Sequence, residues 1–319
     1  MMLSVRDLRV SFRTDDGVVR AIDGVSFDLE EGEILGVVGE SGSGKTVSLL
    51  AVMGLITDPN AVIEGSIRYK GRELVGLPAR ALRRLRGNEI AMIFQDPMTA
   101  LTPVYTIGWQ IAEQIRTHQR LSKSAALERV ESLLAEVNFP NPREAMSRYP
   151  HQLSGGMRQR AVIAMALSCN PALLVADEPT TALDVTVQAG ILDLVRKLRA
   201  THNSAVVFIT HDMGVVSELA DRVMVMYAGR IVERGSRADL FTDPSHPYTR
   251  ALLGSIPPLS GERPLRLPAI PGSPPSLLRL PKGCAFAPRC PVRYEPCDAS
   301  KPDLAGQSHA AACFRMAQA

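Results

Sequence analysis

The stretch Gly39-Glu40-Ser41-Gly42-Ser43-Gly44-Lys45-Thr46 fits G-x-x-x-x-G-K-[ST], the pattern of a phosphate-binding loop, or P-loop. An apolar run at 33–38 predicts a buried strand before it, and 47–53 predicts a helix after it. Gly42 and Gly44 can take positive φ angles, so the loop can wrap a phosphate and direct the first helical N–H groups at it. Lys45 would then reach the β- and γ-phosphates of a nucleotide, and the Thr46 hydroxyl would bind Mg²⁺.

Composition limits the class of protein. The chain has 319 residues, of which 45% are hydrophobic, enough for one large α/β domain with an appendage. Its net charge of +3, from 36 basic and 33 acidic residues, gives no support to nucleic-acid binding. No apolar run approaches the roughly 18 residues of a membrane span, and Met1–Asp7 does not resemble a signal peptide. We therefore expect a cytosolic chain whose five cysteines are reduced thiols or metal ligands.

Two segments ahead of the P-loop alternate apolar and polar residues. They cover 3–12 and 18–29, and the Asp15-Asp16-Gly17 turn between them predicts an antiparallel hairpin. Phe12 lies near the end of the first segment. An aromatic side chain there is equally consistent with stacking on an adenine ring and with ordinary packing on a strand.

Polar side chains follow three further apolar runs. Gln95, Asp177 with Glu178, and His211 each come at the end of a predicted strand. Ligands of open α/β sheets gather at the carboxyl ends of strands, so we expect these residues near Lys45. Asp177 would hold Mg²⁺, and Glu178 would act as general base on the attacking water. The Gln95 amide oxygen would contact Mg²⁺ or that water, and His211 would bond the γ-phosphate.

A second glycine-rich motif, Leu153-Ser154-Gly155-Gly156, precedes the apolar helical stretch 161–167. Ser154 is typical of an N-cap, and the two glycines would bare the first helical N–H groups. A simple capped helix start is the alternative. Glycine in a first helical turn lowers helix stability, which favours a helix end that must approach an anion.

The order of these motifs resembles that of the ATP-binding cassette (ABC) ATPases over residues 3–240. The resemblance implies an α/β P-loop (RecA-like) core in a nucleotide-binding domain at 1–240, with an antiparallel β subdomain and a helical subdomain at about 96–160. In this family two cassettes pack head to tail around ATP and Mg²⁺. The resemblance implies that the signature of each, here Ser154, Gly155 and Gly156, contacts ATP on the partner's P-loop, and it adds Asp184 to the nucleotide-binding residues.

Three shorter segments, 94–101, 149–152 and 246–249, are similar to the oligopeptide, dipeptide and nickel importers of that family. The resemblance implies an ATPase that powers peptide import from the cytoplasmic face of the inner membrane. Its partners would be a second cassette, which we expect to be a paralogue, two permeases and, indirectly, an extracytoplasmic binding protein. Nickel or haem import, a soluble ABC ATPase in translation or DNA repair, and a regulatory module with a vestigial ATPase are the alternatives.

Residues 241–319 form a predicted C-terminal extension. Eight of the 23 prolines lie in 254–282, which indicates an extended linker. Four cysteines follow with the spacing C-x5-C-x6-C-x15-C, which lacks the C-x2-C pairs of structural zinc sites. Such a segment buries little apolar surface by itself, so metal ligation would supply the missing free energy. Some members of the importer branch carry a [4Fe–4S] cluster in a similar tail. We expect one here, with zinc or free thiols as alternatives, on Cys284, Cys290, Cys297 and Cys313.

Two other side chains bear on that expectation. Cys169 follows the signature helix and is expected to be buried in the core. His309 is an alternative ligand to the metal.

Overall fold

The structure is a computed structural model, and it describes residues 1–181, 185–256 and 269–315. The described strands are β1 (Leu3–Thr14), β2 (Gly17–Leu29), β3 (Ile34–Val38), β4 (Ala61–Tyr69), β5 (Arg72–Glu73), β6 (Ile90–Ile93), β7 (Leu173–Asp177), β8 (Ala205–Ile209), β9 (Arg222–Tyr227), β10 (Arg230–Ser236), β11 (Ala305–Gly306) and β12 (Ala310–Ala311). The described helices are α1 (Lys45–Val52), α2 (Ala79–Leu85), α3 (Pro97–Ala100), α4 (Ile107–Gln119), α5 (Lys123–Glu136), α6 (Pro142–Ala145), α7 (Gly155–Leu167), α8 (Val185–His202), α9 (Met213–Leu219), α10 (Arg237–Thr242), α11 (Pro247–Gly254) and α12 (Pro296–Ala299). Single 3₁₀ turns occur at Pro150–Gln152 and Ala287–Arg289.

The central sheet has the strand order β11-β12-β10-β9-β3-β8-β7-β6. The five strands from β9 to β6 run parallel, while β10, β12 and β11 are antiparallel to their neighbours. Every residue of β3, β7 and β8 is buried, as expected for strands covered on both faces. Because β3 lies between β8 and β9, the P-loop that follows it opens at the middle of the sheet.

The second sheet is antiparallel, with the order β2-β1-β4-β5. The predicted hairpin is confirmed: β1 pairs with β2 from Leu3 opposite Leu29 to Thr14 opposite Gly17. Its inner side chains share a core with α1 and the central sheet, which includes Leu8, Val25 and Leu49. This sheet therefore covers the P-loop helix from one side.

All regular structure from Pro97 to Leu167 is helical, as the sequence predicted. The stripe of Ile107, Ile111 and Ile115 is fully buried, which confirms the helical period predicted there. Thr106 and Ser122 cap α4 and α5 by accepting a backbone N–H with their side chains. None of the described helices is long and apolar enough to cross a membrane.

The described part of the C-terminal extension packs directly on the cassette. Tyr248 and Phe286 are 0% and 1% exposed and share a core cluster with Tyr227 of β9. Farther along the chain, β12 pairs with β10 and so adds the extension to the central sheet. The metal expected in this segment rests on the premise that the segment folds by itself. In the structure the segment also buries aromatic side chains against the cassette, which supplies free energy that this premise does not include.

Candidate nucleotide-binding site

The P-loop has the backbone geometry predicted from its glycines. Gly42 and Gly44 have φ angles of 77° and 100°, in the left-handed region that favours glycine. At Gly44 a Cβ atom would also lie 2.6 Å from Ile22 Cδ1 and 2.7 Å from the Ala21 carbonyl oxygen. Glycine is therefore required at position 44 for both conformation and space. At Gly42 the surrounding space is open, and conformation alone favours glycine.

Lys45 opens α1 with its side chain turned back over the loop. Its Nζ donates to the carbonyl oxygens of Gly39 at 2.7 Å and Glu40 at 3.1 Å. Burial lowers the pKa of this ammonium group, and the nearby carboxylates of Asp177, Glu178 and Glu40 oppose that shift. The loop therefore encloses a cation at the start of a helix, where an anion is stabilised by both the charge and the helical N–H groups.

Thr46 and Asp177 meet across the floor of the site. The Thr46 hydroxyl donates to Asp177 Oδ1 at 3.2 Å, which joins the start of α1 to the end of β7. Burial is the main reason that the pKa of Asp177 is raised, and Glu178 adds to it by charge repulsion. A hydroxyl and a buried carboxylate are oxygen ligands of the kind that Mg²⁺ prefers, so these two residues fit the ion expected here.

Glu178 is the centre of a cluster of hydrogen bonds. One of its oxygens, Oε2, lies 3.2 Å from Gln95 Nε2, 3.0 Å from Thr181 Oγ1 and 3.2 Å from His211 Nδ1. Glu178 also has a φ of 46°, an unusual conformation for a residue with a side chain. Its N–H donates to the Ile209 carbonyl oxygen at 3.0 Å. The carboxylate is thus held at the carboxyl ends of three neighbouring strands.

We call this region the catalytic edge: Lys45, Gln95, Asp177, Glu178 and His211, at the ends of β3, β6, β7 and β8. The structure brings together these residues, which the sequence had placed near one another. Thr181 was not predicted as a site residue. Its position three residues after Glu178 gave no signal, because it acts through a side-chain contact inside an irregular loop.

The signature motif lies at the start of α7, and none of its residues belongs to the catalytic edge. Ser154 caps α7, as predicted, by accepting the Met157 N–H at 3.4 Å. A Cβ atom at Gly155 would meet nothing within 4 Å, whereas one at Gly156 would lie 3.3 Å from Val187 of α8. Packing therefore explains the second glycine and not the first. An exposed helix start with an unneeded glycine is suited to contact with an anion outside this chain.

Four other predicted residues have different outcomes. Phe12 is half-buried and packs against the core beneath the antiparallel sheet, and its contact with adenine stays a prediction. The Ser43 hydroxyl is buried and makes no hydrogen bond within the described part of the chain, while Ser41 is exposed. Asp184 lies outside the described residues.

The predicted iron–sulfur cluster has no support in the structure. Among the described residues, no three His, Cys, Asp or Glu side chains are grouped so that they could hold a metal ion. The thiols are free, and burial raises the pKa values of Cys284 and Cys290. His309, the alternative ligand, contacts the buried carboxylate of Glu233 at 2.7 Å. Iron and sulfide analysis of anaerobically purified protein tests the prediction directly.

The environment of Cys169 confirms its prediction. It is 7% exposed and follows α7, and burial raises the pKa of its thiol. It belongs to the core and not to the C-terminal cysteines.

Comparison with known proteins gives matches along most of the chain. The family model described as ABC transporter matches residues 22–181, and the model described as oligopeptide/dipeptide transporter, C-terminal region, matches 232–297. The chain is 52% identical over 318 residues to a probable peptide ABC transporter ATP-binding protein, y4tR, of Sinorhizobium fredii, covering 99% of this chain and 95% of the relative. It is 50% identical over 316 residues to the oligopeptide transport ATP-binding protein OppD of Salmonella typhimurium, covering 99% and 94%. It is also 50% identical over 320 residues to the dipeptide transport ATP-binding protein DppD of Bacillus subtilis, covering 99% and 95%.

Solved structures agree with the fold. The dimeric structure of MJ0796, described as a bacterial ABC transporter cassette, matches with a TM-score of 0.68 and 26% identity. The match covers 74% of this chain and 99% of that one. A second structure of MJ0796, a dimeric post-hydrolysis state bound to ADP and Pi, matches with a TM-score of 0.67.

Proposed function

Because the chain belongs to the ABC transporter family and carries the C-terminal region of its oligopeptide and dipeptide branch, we propose that it is the ATP-hydrolysing subunit of a peptide importer. The observation that carries the catalytic part is the catalytic edge, where Lys45 and the Glu178 cluster meet at the ends of parallel strands. The peptide substrate class is supported by relatives about half identical over nearly the whole chain.

In the proposed reaction, the P-loop N–H groups and Lys45 bind the phosphates of ATP. Thr46 and Asp177 would hold Mg²⁺, which supplies positive charge to the phosphate oxygens when bound. Water attacks the γ-phosphorus while the bond to the β–γ bridging oxygen breaks, which gives ADP and phosphate. Glu178 accepts the proton of the attacking water at its carboxylate, as general base.

Gln95 and His211 orient the reacting groups. Both lie 3.2 Å from the same oxygen of Glu178, so each fixes the direction in which that carboxylate can accept a proton. The His211 side chain is 62% exposed and can also reach a γ-phosphate that enters from solvent. A Gln95 amide that turns over would present its oxygen to Mg²⁺ or to the attacking water.

A complete site would need two chains. Ser154, Gly155 and Gly156 make no described hydrogen bond to the P-loop of their own chain, which supports their contact with ATP on a partner cassette. We propose that this partner is a paralogue packed head to tail. Hydrolysis per chain should then rise with concentration, whereas a rate that is independent of concentration would contradict the two-chain site.

The permease would contact the helical region at about 96–160. Val104, Tyr105 and Trp109 are 69%, 44% and 49% exposed there, and the two aromatic rings stack with centroids 4.0 Å apart. Exposed aromatic side chains of this kind are enriched at protein interfaces. We propose that the two permeases of the importer contact this surface at the cytoplasmic face of the inner membrane. An extracytoplasmic binding protein would be an indirect partner, because it delivers the substrate to the permeases. The nucleotide-binding domain would be 1–240, and the extension 241–319.

Uptake by cells tests the substrate class. A deletion strain complemented with the wild-type chain should import labelled di- and oligopeptides, and one complemented with Glu178→Gln should not. Import of nickel or haem in place of peptides would replace the substrate class and leave the ATPase assignment intact. A chain that hydrolyses ATP without any permease-dependent uptake would contradict the transport function.

A further inference from the structure

The C-terminal extension reaches the nucleotide site at Glu40, the second residue of the P-loop. The Arg289 guanidinium binds both oxygens of the Glu40 carboxylate, with Nη1 2.6 Å from Oε2 and Nη2 3.0 Å from Oε1. Two parallel hydrogen bonds of this kind fix the orientation of the carboxylate and add to the charge attraction between the two groups. The Tyr248 hydroxyl, also from the extension, accepts the Glu40 backbone N–H at 2.8 Å.

Glu40 is consequently bonded at each of its polar groups. Its carbonyl oxygen accepts from Lys45 Nζ at 3.1 Å, while the extension holds its N–H and its carboxylate. Lys45 is the cation of the P-loop. A shift of the Glu40 peptide would therefore move a hydrogen-bond acceptor of the lysine that is to bind phosphate.

Arg289 is itself fixed from several sides. Its side chain is only 4% exposed, and Nε donates to the Pro271 carbonyl oxygen at 2.8 Å. The Tyr227 hydroxyl lies 3.3 Å from Nη1, and the guanidinium carbon lies 5.9 and 6.0 Å from the ring centroids of Tyr227 and Phe286. Because Arg289 is buried and bonded on several sides, its guanidinium keeps a fixed position. Its ion pair therefore restricts the movement of the Glu40 side chain.

Charge gives this contact a consequence for binding. Glu40 is a carboxylate inside a loop that is to hold a polyanion, and alone it would repel the phosphates. Arg289 compensates that charge. The Arg289–Glu40 pair would thus favour ATP binding in two ways. It offsets the repulsion between the Glu40 carboxylate and the phosphates, and it holds the backbone of the P-loop in place.

We propose that Arg289 is a positioning residue for ATP, which makes the C-terminal extension a working part of the nucleotide site. The proposal rests on the proposed ATPase function. Arg289 would not touch the nucleotide, and it would act through Glu40. Loss of Arg289 should therefore weaken ATP binding more than it slows hydrolysis at saturating ATP.

The test is a double-mutant cycle on the full chain, with Mg²⁺ and a fluorescent ATP analogue as the probe. Arg289→Met keeps the length of the side chain and removes its charge and donors. It should raise the dissociation constant about tenfold or more, since it leaves a carboxylate unpaired beside the phosphates. Adding Glu40→Gln should restore the affinity to within about threefold of the Glu40→Gln variant alone, because the uncompensated charge is then gone.

Two controls separate this role from others. Arg293→Met removes an arginine of the same extension whose side chain is 51% exposed, and it should leave the affinity unchanged. Lys45→Ala tests the ATP site itself. If Lys45→Ala leaves the affinity unchanged, the proposed ATP site is wrong. If Lys45→Ala weakens binding while Arg289→Met does not, only the positioning role is overturned.

A merely structural role for Arg289 would give a different pattern. Arg289→Met lowers the midpoint of thermal unfolding under either hypothesis, because the side chain is buried and bonded. With a merely structural role, however, Glu40→Gln would not restore the affinity. Absence of that rescue would overturn the proposal. Rescue, together with an elevated KM for ATP and a kcat close to that of the wild type, would support it.

Discussion

The catalytic edge and the C-terminal extension use the same kinds of side chain under different conditions. At the catalytic edge the Glu178 side chain is 15% exposed and the His211 side chain is 62% exposed, so both can meet a ligand from solvent. In the extension the Arg289 side chain is 4% exposed, and Phe286 and Tyr248 are almost completely buried. Glu178 is therefore available for chemistry, whereas Arg289 is occupied in holding other residues. Substitutions at the catalytic edge should accordingly lower ATP turnover, whereas substitutions in the extension should lower stability.

The largest effect is expected at the edge. Glu178→Gln keeps the size of the side chain and removes the base, so ATP turnover in the assembled transporter should fall by about 10² to 10⁴-fold. ATP affinity and the midpoint of thermal unfolding should stay near the wild-type values, because little packing is lost. Turnover within about threefold of wild type would contradict the role given to Glu178.

The corresponding change in the extension should act on stability. Phe286→Ala removes a ring that is 1% exposed, and it should lower the free energy of unfolding by about 3–5 kcal/mol. Chemical denaturation without nucleotide measures this. Trp109→Ala is the matched control: that ring is 49% exposed and stacks on Tyr105, so its loss should cost only about 1 kcal/mol. Equal effects of the two substitutions would mean that the extension is not held by packing.

Low pH should destabilise the fold through His246 of the extension. Burial lowers the pKa of His246 from 6.5 to about 4, although the nearby Glu233 carboxylate opposes the shift. Between those pH values the unfolded chain takes up a proton that the folded chain does not, so stability falls as the pH falls. The loss should reach about 3 kcal/mol at the lower end.

His246→Asn tests this, because the asparagine oxygen can still cap α11 at the Tyr248 N–H, as His246 Nδ1 does. Stability measured against pH should lose the His246 contribution in the variant. An unchanged profile between pH 6.5 and 4 would show that His246 does not titrate in this way.

The smallest effect is expected at the signature. Ser154→Ala removes the cap of α7 and should lower the free energy of unfolding by about 1 kcal/mol. Ser154→Thr keeps the hydroxyl and should change stability less. If Ser154→Ala does not change the stability of the nucleotide-free chain, the cap contributes nothing to folding and the hydroxyl serves only to bind the ligand.

Much of the edge could be predicted because its signals are local. The P-loop glycines, the buried strands and the polar residues that end them lie within a few positions of one another, and parallel strands bring their ends together. The Arg289–Glu40 pair had no such signal. It joins residues 249 positions apart in the sequence. Arg289 lies in a short 3₁₀ turn among prolines, where no repeating apolar pattern predicts which side chains face the core. The same limit applies to the extension, which packs on β9, a strand from an earlier part of the chain that local sequence patterns do not point to.

The distance along the chain between Glu40 and Arg289 also has a consequence for biosynthesis. A chain emerges from the ribosome with its N-terminal part first. The P-loop, the signature and His211 have all been made well before Arg289 appears. Until residue 289 has emerged, Glu40 lacks the partner of its carboxylate. Until Ala310 and Ala311 follow, β10 keeps an open sheet edge that other nascent chains can pair with. A growing chain with every motif complete therefore still lacks the Arg289–Glu40 ion pair beside its P-loop.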